Sequence, residues 1–323
     1  MKKILLINFI VFISILIVLE ISARIYLKIK LGDQNAGLPM RNKNLEYKPF
    51  VMYGENWDQV FKNFINELNE DDINVLLIGG STAENFPEEI LEKSLKNKLN
   101  KEVKVFNAGY GGYISSQELI ILTRYGNKLN PDIVINLNGA NDIIHSIKKN
   151  VEPGTFYLNN TYELFLTKPY LAPFIKILQS SQLYNAFSRI SERKKKEKYI
   201  LTDYIKHLDI YLENVESMSV FCKGLGIKYI NVLQPHVIFK TMKHENEKNF
   251  TLLDYRNEIV KSLYLTTKER FQSNISLKNI FLDSTLIFEN INEHVFSDDV
   301  HFMRNNNKGY YLLAEFIGNN LIK

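Results

Sequence analysis

Apolar positions fall along the chain in short, largely β-branched runs, separated by longer stretches in which they recur every three or four residues. The short runs are Val75-Leu76-Leu77-Ile78, Val103-Lys104-Val105-Phe106, Ile133 to Leu137, Ile227 to Leu233 and Ile280-Phe281-Leu282. Aliphatic runs of this length, bounded by Gly, Asn or Pro, read as buried strands. Helical spacing appears at Ile90, Leu91, Leu95 and Leu99, and at Leu119, Ile120 and Leu122. It recurs over Ile205, Leu208, Leu212, Val215 and Met218, and again over Tyr310, Leu313, Phe316, Ile317 and Leu321. Strands alternating with helices predict a three-layer α/β/α domain on a parallel sheet of about five strands. In such a sheet every strand points its C-terminal end at one edge, where ligands bind. The breaks after the first three strands, at Ser81, Gly112 and Asn141, converge on that edge.

The N-terminus follows a different pattern. Lys2-Lys3 precede an apolar run from Ile4 to Leu19, continued past Glu20 by Ile21, Ser22 and Ala23 and apolar all round. Its length is just short of the roughly 20 residues that span a bilayer, and Asn8 and Ser14 are tolerable within it. Residues 1–30 are expected to be a membrane anchor or a signal peptide. The weak cleavage site at Ile21-Ser22-Ala23, followed at once by Arg24, favours the uncleaved anchor. Lys2 and Lys3 on one flank are nearly balanced by Arg24, Lys28 and Lys30 on the other, so orientation stays open. Residues 31–70 are polar and read as a linker and lead-in, with a helix around Trp57 to Leu68. The catalytic domain is expected over 71–323. Within it an insertion at about 148–198, rich in aromatics such as Phe156, Tyr162, Phe165, Tyr170 and Phe187, reads as a local core over the sheet edge.

Composition narrows this only slightly. The net charge is +4 over 323 residues, and no basic cluster is interleaved with stacking aromatics, so no nucleic-acid partner is expected. Arg193-Lys194-Lys195-Lys196 reads as a solvated helix face. The single cysteine, Cys222, excludes an internal disulfide.

The chemistry turns on Ser81. Glu84 stands three residues after it, the spacing of a capping box, and most serines so placed only cap a helix. A nucleophile at that strand-to-helix turn needs a base, an acid and an oxyanion site elsewhere in the chain. Asp298-Asp299-Val300-His301 supplies a carboxylate three residues before an imidazole, a spacing that one helical turn brings together. Alone it is weak, because Asp-x-x-His is common by chance and a solvated turn capped by Asp298 would look the same. His145, His207, His236, His244 and His294 have no comparable neighbour and read as structural or solvent-facing.

Taken together, these segments resemble the four blocks of the SGNH hydrolases, the GDSL-like lipases and esterases, and within them a membrane-anchored Gly-Gly-Ser-Thr branch. Gly79-Gly80-Ser81-Thr82 matches the nucleophile block, and Asn107-Ala108-Gly109-Tyr110-Gly111-Gly112 the glycine block. Gly139-Ala140-Asn141-Asp142 matches the Gly-x-Asn-Asp block and Asp298 to His301 the terminal block. The resemblance covers about Asn74 to Leu321 and departs from the best-known form in having Gly-Gly-Ser for Gly-Asp-Ser. It implies a flavodoxin-like sheet, Ser81 as nucleophile, His301 as base, Asp298 as its orienter, and Gly112 and Asn141 as oxyanion donors. It implies no metal and no organic cofactor. An α/β-hydrolase is set aside, because its Gly-x-Ser-x-Gly elbow would need glycine where Ala83 stands.

Three functions share this cleft: an esterase acting on O-acyl esters, acetyl foremost, of surface carbohydrate; an O-acyltransferase to a polysaccharide; and a non-catalytic glycan- or lipid-binding domain. The resemblance favours the esterase, acting on acylated carbohydrate or a small ester. The N-terminal helix would engage the membrane and hold the domain outside the cytoplasm.

Overall fold

The computed structural model of the chain describes residues 2–31, 47–147, 152–156, 167–171, 181, 201–250 and 254–321. Most of the aromatic insertion expected at 148–198 lies outside them. The chain forms two units, Met1–Asn44 with Leu158–Tyr199, and Leu45–Tyr157 with Ile200–Lys323. In the first, helix α1 (Lys2–Leu31) contains a 20-residue segment, Leu6–Ile25, of mean hydropathy 2.5 with none of it buried. By length and composition it can serve as a membrane anchor or a signal sequence. Its one carboxylate, Glu20, pairs with Arg24 one turn later at 2.9 Å and accepts a hydrogen bond from Ser181 Oγ at 2.8 Å. Both contacts lower the cost of a charge in an apolar helix.

The second unit is built on five strands: β1 (Ile73–Gly79), β2 (Val103–Asn107), β3 (Ile133–Asn138), β4 (Lys228–Leu233) and β5 (Phe281–Asp283). They are all parallel, in the order β2-β1-β3-β4-β5, the flavodoxin-like arrangement. Register sets the faces. Val75 lies opposite Val105 and Ile133, and Ile135 opposite Ile230. These side chains form one apolar face, covered by Leu91 and Leu95 of α3 (Glu88–Leu99) and by Leu313, Ile317 and Leu321 of α8 (Lys308–Leu321). The opposite face packs against α2 (Trp57–Asn66), α4 (Ser115–Ile120), α6 (Leu201–Gly224) and α7 (Asp254–Ser273). A short helix, α5 (Ala140–Ser146), follows β3.

The stretch expected to be a linker and lead-in divides at Leu45, beyond which it is part of the compact body. Most of its exposed positions are polar, which gave it the look of a linker, but Val51, Tyr53, Trp57 and Phe61 are buried. Helix α2 ends at Asn66, two residues before the expected Leu68.

The α6 side of the sheet is not uniformly apolar. Asn136, Asn138 and Asn231 are buried there and joined through tyrosines. Tyr211 OH donates to Asn138 Oδ1 at 2.8 Å, Asn231 Nδ2 to Tyr211 OH at 3.2 Å, and Asn136 Nδ2 to Tyr229 OH at 3.1 Å. Glu118 of α4 accepts from Asn138 Nδ2 at 2.7 Å, yet Glu118 Oε1 and Asn136 Oδ1 have no hydrogen-bond partner among the described residues. Burial, then the charge of Asp142, pushes the Glu118 carboxyl well above the usual carboxylate range, and burial pushes Asp142 up to about 6. The native state therefore holds protons that the unfolded chain has released, and stability falls as pH rises from the ordinary carboxylate range through these raised values. Glu118→Gln keeps the acceptor for Asn138 and removes the buried titrating carboxyl. Urea unfolding of the full chain at pH 8 should show this variant unchanged or more stable by on the order of 1 kcal/mol. That advantage should shrink at pH 5.

Candidate active site

β1 ends at Gly79, and Gly80, in extended conformation with φ −82° and ψ −154°, caps a single helical turn, Ser81–Glu84. The chain then breaks at Asn85 to Pro87 before α3 begins. Ser81 is thus the first residue of the turn and not its cap, and the expected capping box with Glu84 does not form. Its hydroxyl is left for another partner. Ser115 likewise stands one residue inside α4, after Ile114, and gives its hydroxyl to Asp142 Oδ1 at 2.6 Å. Asn107, at the end of β2, binds one carbonyl of the short turn and one just past it. Its Nδ2 donates to Ala83 O at 2.8 Å and Phe86 O at 3.2 Å, while its Oδ1 accepts the Gly109 N–H at 2.9 Å.

Ser81 Oγ lies 2.5 Å from His301 Nε2, and His301 Nδ1 lies 2.6 Å from Asp298 Oδ2. The Asp-x-x-His segment is a bend rather than the helical turn its spacing suggested. The two side chains meet because Asp298 Oδ1 accepts the backbone N–H groups of Val300 and His301 at 2.9 and 2.7 Å, folding the segment back on its own carboxylate. Burial works against the Asp298 charge, but these hydrogen bonds and the charge of His301 outweigh it and hold the carboxyl below its usual range. For His301, burial disfavours the imidazolium. The hydrogen bond and charge of Asp298, helped by the charge of Asp299, outweigh that and move its proton affinity upward. With Asp298 ionised, Nδ1 carries the proton and Nε2 presents a lone pair to the Ser81 hydroxyl.

The glycine loop after β2 runs beside this pair, since a Cβ built on Gly111 would stand 3.9 Å from Ser81 Cβ. Gly112 has φ +79°, a conformation suited to glycine. Asn141, in the first turn of α5, donates from Nδ2 to Tyr113 O at 2.8 Å. It also sits against Gly80, where a Cβ would come within 2.6 Å of that nitrogen. The structure therefore brings Ser81, His301 and Asp298 into direct contact. It places Gly112 on the loop passing Ser81, and Asn141 beside the residue that caps its turn.

Sequence reasoning missed the support of the glycine loop. Tyr53 OH donates to Gly112 O at 3.0 Å, Tyr113 OH to Tyr53 O at 2.7 Å, and Trp57 Nε1 to Tyr113 OH at 3.0 Å. With Tyr110 these rings pack at 5.1–6.3 Å between centroids. The available signal was the lone tryptophan of the chain, standing in an otherwise polar stretch. Of the other histidines, His236 is buried after β4 with Nδ1 accepting the Ile238 N–H at 3.1 Å, and His244 stacks on His294 at 5.0 Å.

No family model matches this sequence, and no curated protein does. Among solved structures the chain is similar to the acetyl xylan esterase AlAXEase, at 14% identity over 76% of this chain and 98% of that one, with a TM-score of 0.42. It is similar to a GDSL-like lipase from Bacteroides thetaiotaomicron VPI-5482, at 14% identity over 83% and 97%, TM-score 0.42. It is also similar to the lipase Lip_vut3 from a goat rumen metagenome, at 12% identity over 77% and 97%, TM-score 0.45. What this cleft can do rests on its own atoms.

The His301 environment can be read directly by NMR titration of the full chain. The imidazole should titrate above the ordinary value of about 6.5, and Asp298→Asn should bring it down, because burial then acts without the opposing charge.

Proposed function

We propose that this chain is a serine ester hydrolase of the SGNH type. The observation that carries the proposal is the unbroken line Ser81 Oγ, His301 Nε2, His301 Nδ1, Asp298 Oδ2, with contacts of 2.5 and 2.6 Å. The four sequence blocks around Ser81, Gly112, Asn141 and His301 support it. His301 takes the Ser81 proton as Oγ attacks the ester carbonyl, and Asp298 holds the imidazole in the required tautomer and stabilises the imidazolium. The tetrahedral oxyanion is received by the backbone N–H groups of Ser81 and Gly112 and by the Asn141 amide, donors fixed before substrate arrives. His301 then returns the proton to the leaving alcohol. Water, deprotonated by the same imidazole, releases the acid from the acyl-enzyme.

The substrate we assign is an O-acyl ester, acetyl foremost, on cell-surface carbohydrate. The apolar helix α1 anchors the protein, with the catalytic unit outside the cytoplasm. The full chain in detergent, offered p-nitrophenyl acetate and an acetylated glycan, should release acetate. Ser81→Ala and His301→Ala should each lose on the order of 10⁴-fold or more in kcat, and Asn141→Ala about 10²–10³-fold. Acetylated acceptor without free acetate would make the protein a transferase, and no turnover or acyl-enzyme at all would leave a binding domain. A topology reporter fused after Lys323 should read outside the cytoplasm.

A further inference from the structure

The two halves of the Ser81–His301 contact are fastened to a third element that no motif marks. Immediately after β4, the Gln234 N–H donates to Asn138 O at 2.9 Å, which ties this point of the chain to the end of β3. The Gln234 side chain is buried, and its Nε2 donates both to Thr82 Oγ1 at 2.6 Å and to Val300 O at 3.2 Å. Thr82 is fully buried and follows Ser81; Val300 precedes His301. Because Thr82 Oγ1 accepts from Gln234, its own proton is free to point at Val300 O, 3.4 Å away. Three residues further on, the Val237 N–H donates to Asp299 O at 2.9 Å. Two successive carbonyls of the Asp298–His301 bend are thus held by the segment that leaves β4, and one of them is shared with the neighbour of the nucleophile.

We propose that Gln234 and Thr82 form a clamp that sets the separation and angle between Ser81 Oγ and His301 Nε2, making both positioning residues for the reaction. The inference rests on the serine hydrolase reading. A single amide and a single hydroxyl, buried where no water need compete, join segments otherwise linked by the reacting pair itself and by the exposed hydrogen bond from Arg304 Nη2 to Asn85 Oδ1 at 2.6 Å. Replacing Thr82 by valine keeps shape and removes the shared hydroxyl. It leaves the Gln234 amide one acceptor short and lets the bend shift by a fraction of an ångström, enough to misalign a proton transfer.

The test uses the full chain in detergent and two readouts, ester turnover and the rate at which a fluorophosphonate labels Ser81. Thr82→Val and Gln234→Leu should each lower kcat and the labelling rate by about 10–100-fold with KM within about twofold, and Thr82→Ser should restore both to within about threefold of the parent. Thr82→Val with parental kcat and labelling overturns the clamp, as does Thr82→Ser impaired as badly as Thr82→Val, since the hydroxyl alone would then not hold the geometry. A loss confined to KM or to melting temperature also overturns it. Should Gln234→Leu fail to fold, the Thr82 pair decides alone. A parent chain that neither turns over ester nor accepts the fluorophosphonate overturns the hydrolase reading instead, an outcome distinct from a labelled parent matched by an equally labelled Thr82→Val.

Discussion

Everything at the functional edge depends on one hydrogen bond between side chains 220 residues apart, Ser81 Oγ to His301 Nε2. Neither partner could find the other through local structure. The sheet makes the meeting possible. In the order β2-β1-β3-β4-β5, β1 lies between β2 and β3, so the turns after these three strands are neighbours in space. The strand order, not the strand direction, reverses at β1, and the crevice opened between β1 and β3 is flanked by Ser81 on one side and Asn141 on the other. His301 is brought to the same crevice by a bend after β5 that is stitched to the end of β4.

The site is also held from below. Asn107 binds a carbonyl of the Ser81 turn, and the Tyr53, Trp57, Tyr110 and Tyr113 cluster props the glycine loop through a chain of hydroxyl and indole hydrogen bonds. Tyr53, Trp57 and Tyr113 are buried, so their polar groups would be costly if unpaired, and their mutual satisfaction leaves the loop few alternative conformations. The same logic runs through the layer beneath, where asparagines and tyrosines of β3, β4 and α6 form a connected network. Its incomplete members are Glu118 and Asn136, whose Oε1 and Oδ1 have no hydrogen-bond partner among the described residues, and the burial that isolates Glu118 also raises its proton affinity.

How much of this the sequence disclosed differs from element to element. Helix α1 was legible because its apolar character runs all round. The five strands were legible because both faces of a parallel sheet are buried, which writes near-continuous aliphatic runs into the chain. Even the asparagines of β3 left the strand readable, since β-branched neighbours surround them. Local hydrogen bonding was misjudged: Ser81 looked like a cap, and it stands one residue inside its helical turn with its hydroxyl given to a distant side chain. The lead-in around Tyr53 and Trp57 looked like linker because its exposed positions, Phe50 and Ile65 apart, are mostly polar and outnumber the buried ones.

By itself, then, the sequence determined the layered α/β architecture, the strand endings where chemistry would gather and the residues able to perform it, because periodicity and residue type are local properties. Only the tertiary structure decided which of those residues touch, that an ordinary Gln-Pro-His segment holds Thr82, next to Ser81, to Val300, next to His301, and that the lone tryptophan braces the glycine loop. Those are contacts between segments far apart in the chain, and no pattern within either segment encodes the other's position.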